Sequence, residues 1–171
     1  MKHIYLIGFM GSGKTTVAKR LSEKMNLAYL DIDDTVEKKL NKKISSVFKD
    51  EGEEVFRKHE TISLKNVGIT PIISTGGGIV EKDENINWMQ KTGIIIYLHT
   101  SFGLINNRLQ NDSSRPLWRA DEENQKLYAR RIVMYESCAD YIIDCDASSL
   151  EEIIDNIVSI YRYKGKLECE K

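Results

Sequence analysis

Gly8-Phe9-Met10-Gly11-Ser12-Gly13-Lys14-Thr15-Thr16 follows directly on the apolar run His3–Ile7 and precedes an amphipathic stretch. The order strand, loop, helix with G-x-x-x-x-G-K-S/T between them is the phosphate-binding loop pattern. Gly8, Gly11 and Gly13 let backbone wrap an anion, while the loop amides and the helix N-terminus supply donors. Lys14 is placed to reach terminal phosphates and the Thr15 hydroxyl to hold Mg²⁺, so nucleoside triphosphate binding is expected, with Gly11, Ser12, Gly13, Lys14, Thr15 and Thr16 as its contacts.

Further groups lie just after later apolar runs. Asp31 and Asp33 stand two apart at the end of Leu27–Leu30, where extended geometry would put them on one side and the start of a helix would turn them differently. Asp33-Asp34-Thr35 also suits an Asx turn capping a helix. Gly76-Gly77-Gly78 follows Ile72-Ile73-Ser74-Thr75 and lets backbone approach a ligand closely. Arg57 lies in a charged helical stretch in which Phe56 and Glu60 share a face.

The elements that position these residues are read from periodicity. Five short apolar runs, at His3–Ile7, Leu27–Leu30, Pro71–Ser74, Ile94–Leu98 and Tyr141–Asp144, read as strands, with helical patterns between them. Val17, Ala18, Leu21 and Met25 form one face of Lys14–Met25, and Leu150–Tyr161 repeats the pattern behind a capping-box spacing, Ser148 with Glu151. The expected fold is a three-layer α/β/α sandwich on a central, five-stranded, mainly parallel sheet. Ligands in such sheets bind beyond the carboxyl ends of the strands, where the motifs above fall.

The 171 residues carry 41% hydrophobic and 30% charged side chains with a net charge of −1, which suits a single soluble domain and gives no basic field for nucleic acid or membrane. The apolar run before Gly8 is too short for a secretory signal or a bilayer span, so a cytoplasmic protein is expected. Cys138, Cys145 and Cys169 have no C-x-x-C spacing and are read as reduced thiols, and the isolated His3, His59 and His99 match no metal-ligand spacing. No N-K-x-D guanine signature is present, and the chain is short for a motor.

Together, the loop, Leu30-Asp31-Ile32-Asp33, Phe56-Arg57-x-x-Glu60, Gly76-Gly77-Gly78 and Arg115-Pro116-Leu117 resemble shikimate kinase over about residues 1–157. The resemblance implies a P-loop kinase fold with a lid, and transfer of the γ-phosphoryl group of ATP to the 3-hydroxyl of shikimate. On it, Lys14, Asp33 and Arg115 are catalytic, and Thr15 and Asp31 serve Mg²⁺. Arg108 and Arg115 join the loop in holding ATP. Asp33, Arg57, Glu60, Gly76, Gly77, Gly78 and Arg131 bind shikimate, with Phe48 and Phe56 as apolar walls. Adjacent Arg130 leaves the register at Arg131 open, and Val133 stands where the family commonly has Pro. The expected domain covers 1–162, with an acceptor region at about 33–60, a lid at about 109–120 carrying Trp118, and a disordered tail at 163–171. A monomer is implied. The competing readings are another P-loop kinase, for a sugar acid or nucleoside monophosphate, and a non-catalytic nucleotide-binding module.

Overall fold

The computed structural model describes residues 2–110 and 121–169. Strands β1 (His3–Ile7), β2 (Tyr29–Asp31), β3 (Ile72–Ser74), β4 (Gly93–His99) and β5 (Tyr141–Asp144) form one sheet in the order β2-β3-β1-β4-β5. Every neighbouring pair is parallel, with Ile4 opposite both Ile72 and Ile94. Parallel neighbours need crossovers, supplied among the described residues by α1 (Lys14–Met25), α2 (Ile32–Leu40), α3 (Ile44–Asp50), α4 (Glu53–Lys65), α5 (Asp83–Thr92), α6 (Phe102–Gln110) and α7 (Glu122–Cys138), while α8 (Leu150–Cys169) follows the last strand.

Side chains alternate across a strand, so β1 feeds two cores. Ile4 and Leu6 pack with Ile72, Ile94, Ile96 and the α1 and α8 residues Val17, Leu21, Ile154 and Ile157. Tyr5 and Ile7 face the other way, with Tyr97 of β4, toward Ile32, Val36, Phe56, Leu64 and Tyr135 of the α2, α4 and α7 layer. Each such aliphatic side chain contributes about 1.5–3 kcal/mol by burial, which is why strands in the middle of the sheet are apolar on both faces. No described helix is long and apolar enough to cross a membrane.

Two local expectations are corrected. β2 begins at Tyr29, not Leu27, because Asn26 takes a left-handed conformation (φ 52°) and Leu27 N–H donates to Ser22 O, which assigns Leu27 to the end of α1. The cap of α8 is Ser149 with Glu152, one residue beyond the expected pair: the Glu152 carboxylate accepts from Ser149 N–H at 2.7 Å, and Glu152 N–H donates to Ser149 Oγ at 3.3 Å. The last helix, α8, continues as helical backbone to Cys169.

Candidate active site

The loop after β1 is bent through three glycines at positive φ, Gly8 at 147°, Gly11 at 78° and Gly13 at 95°. A Cβ at Gly11 would stand 3.0 Å from the Leu109 side chain, so this turn needs glycine for space as well as for φ. Gly13 precedes α1 without a side-chain cap, leaving the first α1 amides directed at the loop. Lys14 Nζ is buried and donates to the carbonyls of Gly8 (2.8 Å) and Phe9 (2.9 Å).

Two cavities adjoin this loop. One of about 530 Å³ is lined by Gly11 through Val17, Arg108, Leu109, Cys145, Ser148, Leu150 and Ile153. It thus gathers every described residue expected to hold ATP, and Arg108 Nη1 donates to Gly11 O at 3.2 Å. The other, of about 780 Å³, takes in Asp31, Asp33, Phe48, Phe56, Arg57, Glu60, Gly76–Gly78 and Arg131. Lys14 and Thr15 line both, so the two spaces meet at the residues meant for the terminal phosphate. Arg115 and Trp118, with most of the expected lid, lie outside the described residues.

Asp31 and Asp33 diverge, because α2 begins between them. Asp31 Oδ1 caps α2, accepting from Asp33 N–H at 3.0 Å, while its Oδ2 accepts the Thr15 hydroxyl at 2.7 Å. The cap of α2 is therefore Asp31 and not the expected Asp33-Asp34-Thr35 turn, and the same carboxylate stands beside Thr15. Ser74 Oγ lies 3.4 Å from Thr15 Oγ1. Asp33 instead turns inward: a Cβ at Gly76 would lie 2.6 Å from Asp33 Oδ1 and 2.6 Å from Glu60 Oε1.

Arg57 is buried although its helix is highly charged, because its partners travel on the same helix. Nε and Nη2 donate to Glu53 Oε1 (3.1 and 2.9 Å) and Nη1 to Glu60 Oε2 (2.8 Å). Burial works against the Arg57 charge, yet Glu60 and Glu53 outweigh it and raise its pKa. Burial likewise pushes the Glu60 carboxyl above the usual carboxylate range, with Arg57 opposing. Arg131 is buried on α7, and Arg130 reaches the rim of the cavity with an exposed side chain, which separates the two neighbours that sequence left in doubt.

Two contributors escaped the sequence reading. Glu81, at the end of a short 3-10 turn (Ile79–Glu81), accepts from Arg131 Nε at 2.8 Å and from Arg130 Nη2 at 2.7 Å. Burial pushes its carboxyl up, but the hydrogen bond from Arg131 and the charges of Arg131, Arg130 and Arg57 bring it below the usual range. Tyr135, one turn beyond Arg131 on α7, donates its hydroxyl to Gly77 O and ties the triple-glycine turn to α7. The available sign of Tyr135 was only its four-residue spacing from Arg131, and Glu81 had none beyond its place after the glycines.

A parallel sheet with a phosphate loop on its central strand, a nucleotide-sized cleft beside it, and a second cleft lined by arginines and carboxylates defines a P-loop kinase of small molecules. The shikimate kinase family model matches residues 10–162. Shikimate kinase of Dictyoglomus turgidum is 40% identical over 163 residues, spanning 91% of this chain and 95% of that one. Among solved structures, shikimate kinase from Acinetobacter baumannii in complex with shikimate superposes with a TM-score of 0.86 at 31% identity, covering 96% of this chain and 94% of that one. The Aquifex aeolicus shikimate kinase gives 0.80 at 32% identity, with coverage of 95% and 98%. The chain belongs to the shikimate kinase family, and is with it an ATP-dependent phosphotransferase.

Proposed function

We propose that this chain transfers the γ-phosphoryl group of ATP to the 3-hydroxyl of shikimate, with the nucleotide in the smaller cavity and the acceptor in the larger. The observation that carries the assignment of sides is the meeting of the two cavities at Lys14 and Thr15. The loop amides and the α1 N-terminus receive the phosphates, and Lys14 exchanges its carbonyl partners for phosphate oxygens. Arg108 packs against the base.

On the acceptor side, a carboxylate is held between Arg57 and Arg131, where planar guanidinium groups give directional contacts that an ammonium cannot. Gly76, Gly77 and Gly78 line the ring, and Phe48 and Phe56, with ring centroids 4.9 Å apart, wall it. Asp33 orients the attacking hydroxyl and accepts its proton, and Glu60 supports that geometry. The transition state of phosphoryl transfer is loose, so positioning matters more than the basicity of Asp33. The role of Arg115, neutralising charge from the lid, rests on the resemblance alone.

The side-chain oxygens of Thr15, Asp31 and Ser74 come together, an oxygen donor set that fits Mg²⁺. Thr15 would ligate the ion and Asp31 would hold its water shell; when bound, Mg²⁺ offsets phosphate charge. Cytosolic action, supported by free, buried thiols at Cys138 and Cys145, and a monomeric state, which rests on the resemblance, complete the proposal.

ADP release from ATP and Mg²⁺ is measured with shikimate, quinate, gluconate, AMP or no acceptor. Stimulation by shikimate alone is expected. Turnover with another acceptor and not shikimate would remove the acceptor assignment and leave the P-loop kinase.

A further inference from the structure

We infer that Glu81 is a positioning residue for the acceptor, fixing the Arg131 guanidinium so that it meets a carboxylate end-on, through its two terminal nitrogens. This rests on the reading that Arg131 binds the acceptor carboxylate. A guanidinium offers a carboxylate two bidentate faces, one formed by Nη1 and Nη2 and one by Nε with its neighbouring Nη. Glu81 Oε1 takes Nε of Arg131 at 2.8 Å and so closes the second face.

The anchor is itself rigid. Glu81 N–H donates to Gly78 O at 3.0 Å, so the carboxylate is tied to the triple-glycine turn that lines the same cavity. Arg130 Nη2 contacts both Glu81 oxygens, at 2.7 and 2.9 Å, and holds the carboxylate from the rim. The Arg131 Cζ also lies 5.7 Å from the centre of the Phe9 ring, a second restraint on the guanidinium.

The same construction recurs across the cavity. Arg57 has Nε on Glu53 at 3.1 Å, and its Cζ lies 5.2 Å from the Phe56 ring centre. Each arginine thus rests near a phenylalanine ring and gives its Nε to a glutamate; the Arg57 terminal nitrogens are engaged as well, Nη2 with Glu53 and Nη1 with Glu60, so Arg57 shares them with an acceptor. Ordering these long side chains before the acceptor arrives removes an entropic cost from binding. Glu53, on the same helix as Arg57, could be found from its four-residue spacing; Glu81 is the counterpart that only the fold brings to Arg131.

The test is a double-mutant cycle on Glu81 and Arg131, with KM for shikimate, KM for ATP, kcat and melting temperature as readouts. Glu81→Ala is expected to raise the shikimate KM about tenfold, the worth of one charge-assisted hydrogen bond, with ATP KM unchanged. In an Arg131→Ala background the same change should have no effect on shikimate KM. Glu81→Gln keeps an accepting oxygen in place and should give a smaller rise, which also serves if Glu81→Ala folds poorly. An equal penalty in the Arg131→Ala background would show a general structural role and overturn the proposal. A shikimate KM that is unchanged or lower in both Glu81 variants would overturn it as well. If Arg131→Ala alone leaves shikimate KM at the wild-type value, the carboxylate assignment fails first and the role of Glu81 with it.

Discussion

Gly78 lies against Arg57 so closely that a Cβ built on it would stand 2.1 Å from Nη2 and 2.3 Å from Cζ. Gly78 has φ −98°, which any residue adopts, so glycine is required there for the space that the guanidinium occupies. Gly78→Ala should therefore fold and displace Arg57. A misplacement of about 1 Å costs on the order of 100-fold in kcat/KM. The comparison is Gly103→Ala in α6, where nothing lies within 4 Å of a new Cβ and activity should be retained.

Arg57→Lys keeps the charge and loses the fork. A lysine ammonium cannot satisfy Glu53 and Glu60 while offering two parallel donors to a carboxylate. Shikimate KM should rise about tenfold or more, with ATP KM near wild type. An unchanged shikimate KM would sink the contact.

Asp31 and Asp33 should separate by readout. Asp33→Asn leaves the backbone N–H that Asp31 caps, so stability should hold while kcat falls by roughly 100-fold or more. Asp31→Ala removes the cap of α2, costing about 1 kcal/mol, and should also shift the Mg²⁺ dependence of turnover. Thermal melts and Mg²⁺ titrations of both variants check this.

Glu81 makes a prediction about acid stability. Its folded pKa lies below the ordinary 4.5, so the folded state binds its proton less readily than the unfolded chain does. The stabilisation is thus fully present above that ordinary value and is lost as pH falls through the lowered one. The melting-temperature advantage of wild type over Glu81→Gln should be constant near neutrality and shrink below about pH 4.5. An advantage that grew in acid would contradict the direction.

Burial pushes the Cys138 thiol up to about 11, against the ordinary 9.0. The thiolate is the nucleophile, so alkylation of Cys138 in the folded protein at pH 8 should be slower than in denaturant by about 100-fold or more. Mass mapping of iodoacetamide adducts over time measures it; equal rates folded and unfolded would refute it.

The parts of this architecture that could be read from sequence were those encoded locally. The phosphate loop is contiguous, and isoleucine-rich runs such as Ile94–Leu98 declare strands buried on both faces. Sequence also placed Phe56 and Glu60 on one helix face, with Arg57 in the same stretch. It could not show Arg57 to be buried, which depends on α4 packing against the glycine turn, nor pair Glu81 with Arg131, which are joined only by α7 crossing that turn. The glycines themselves were expected to bare amides to a ligand. At Gly76 and Gly78 the structure gives a different physical reason, room for Asp33, Glu60 and Arg57.

The sheet order also has a consequence for synthesis. β1 is translated before every other strand, yet its partners are β3 and β4, with Ile4 waiting for Ile72 and Ile94. At roughly 5–20 residues per second, the ribosome leaves His3–Ile7 without a neighbour for about 3–13 s, until β3 is made, and without its second neighbour β4 for about 5–20 s. Throughout that interval the nascent chain carries an apolar strand that suits a chaperone, and a phosphate loop with no sheet to hold its shape. Nucleotide affinity should thus arise late and abruptly on the ribosome, once the chain has passed β4.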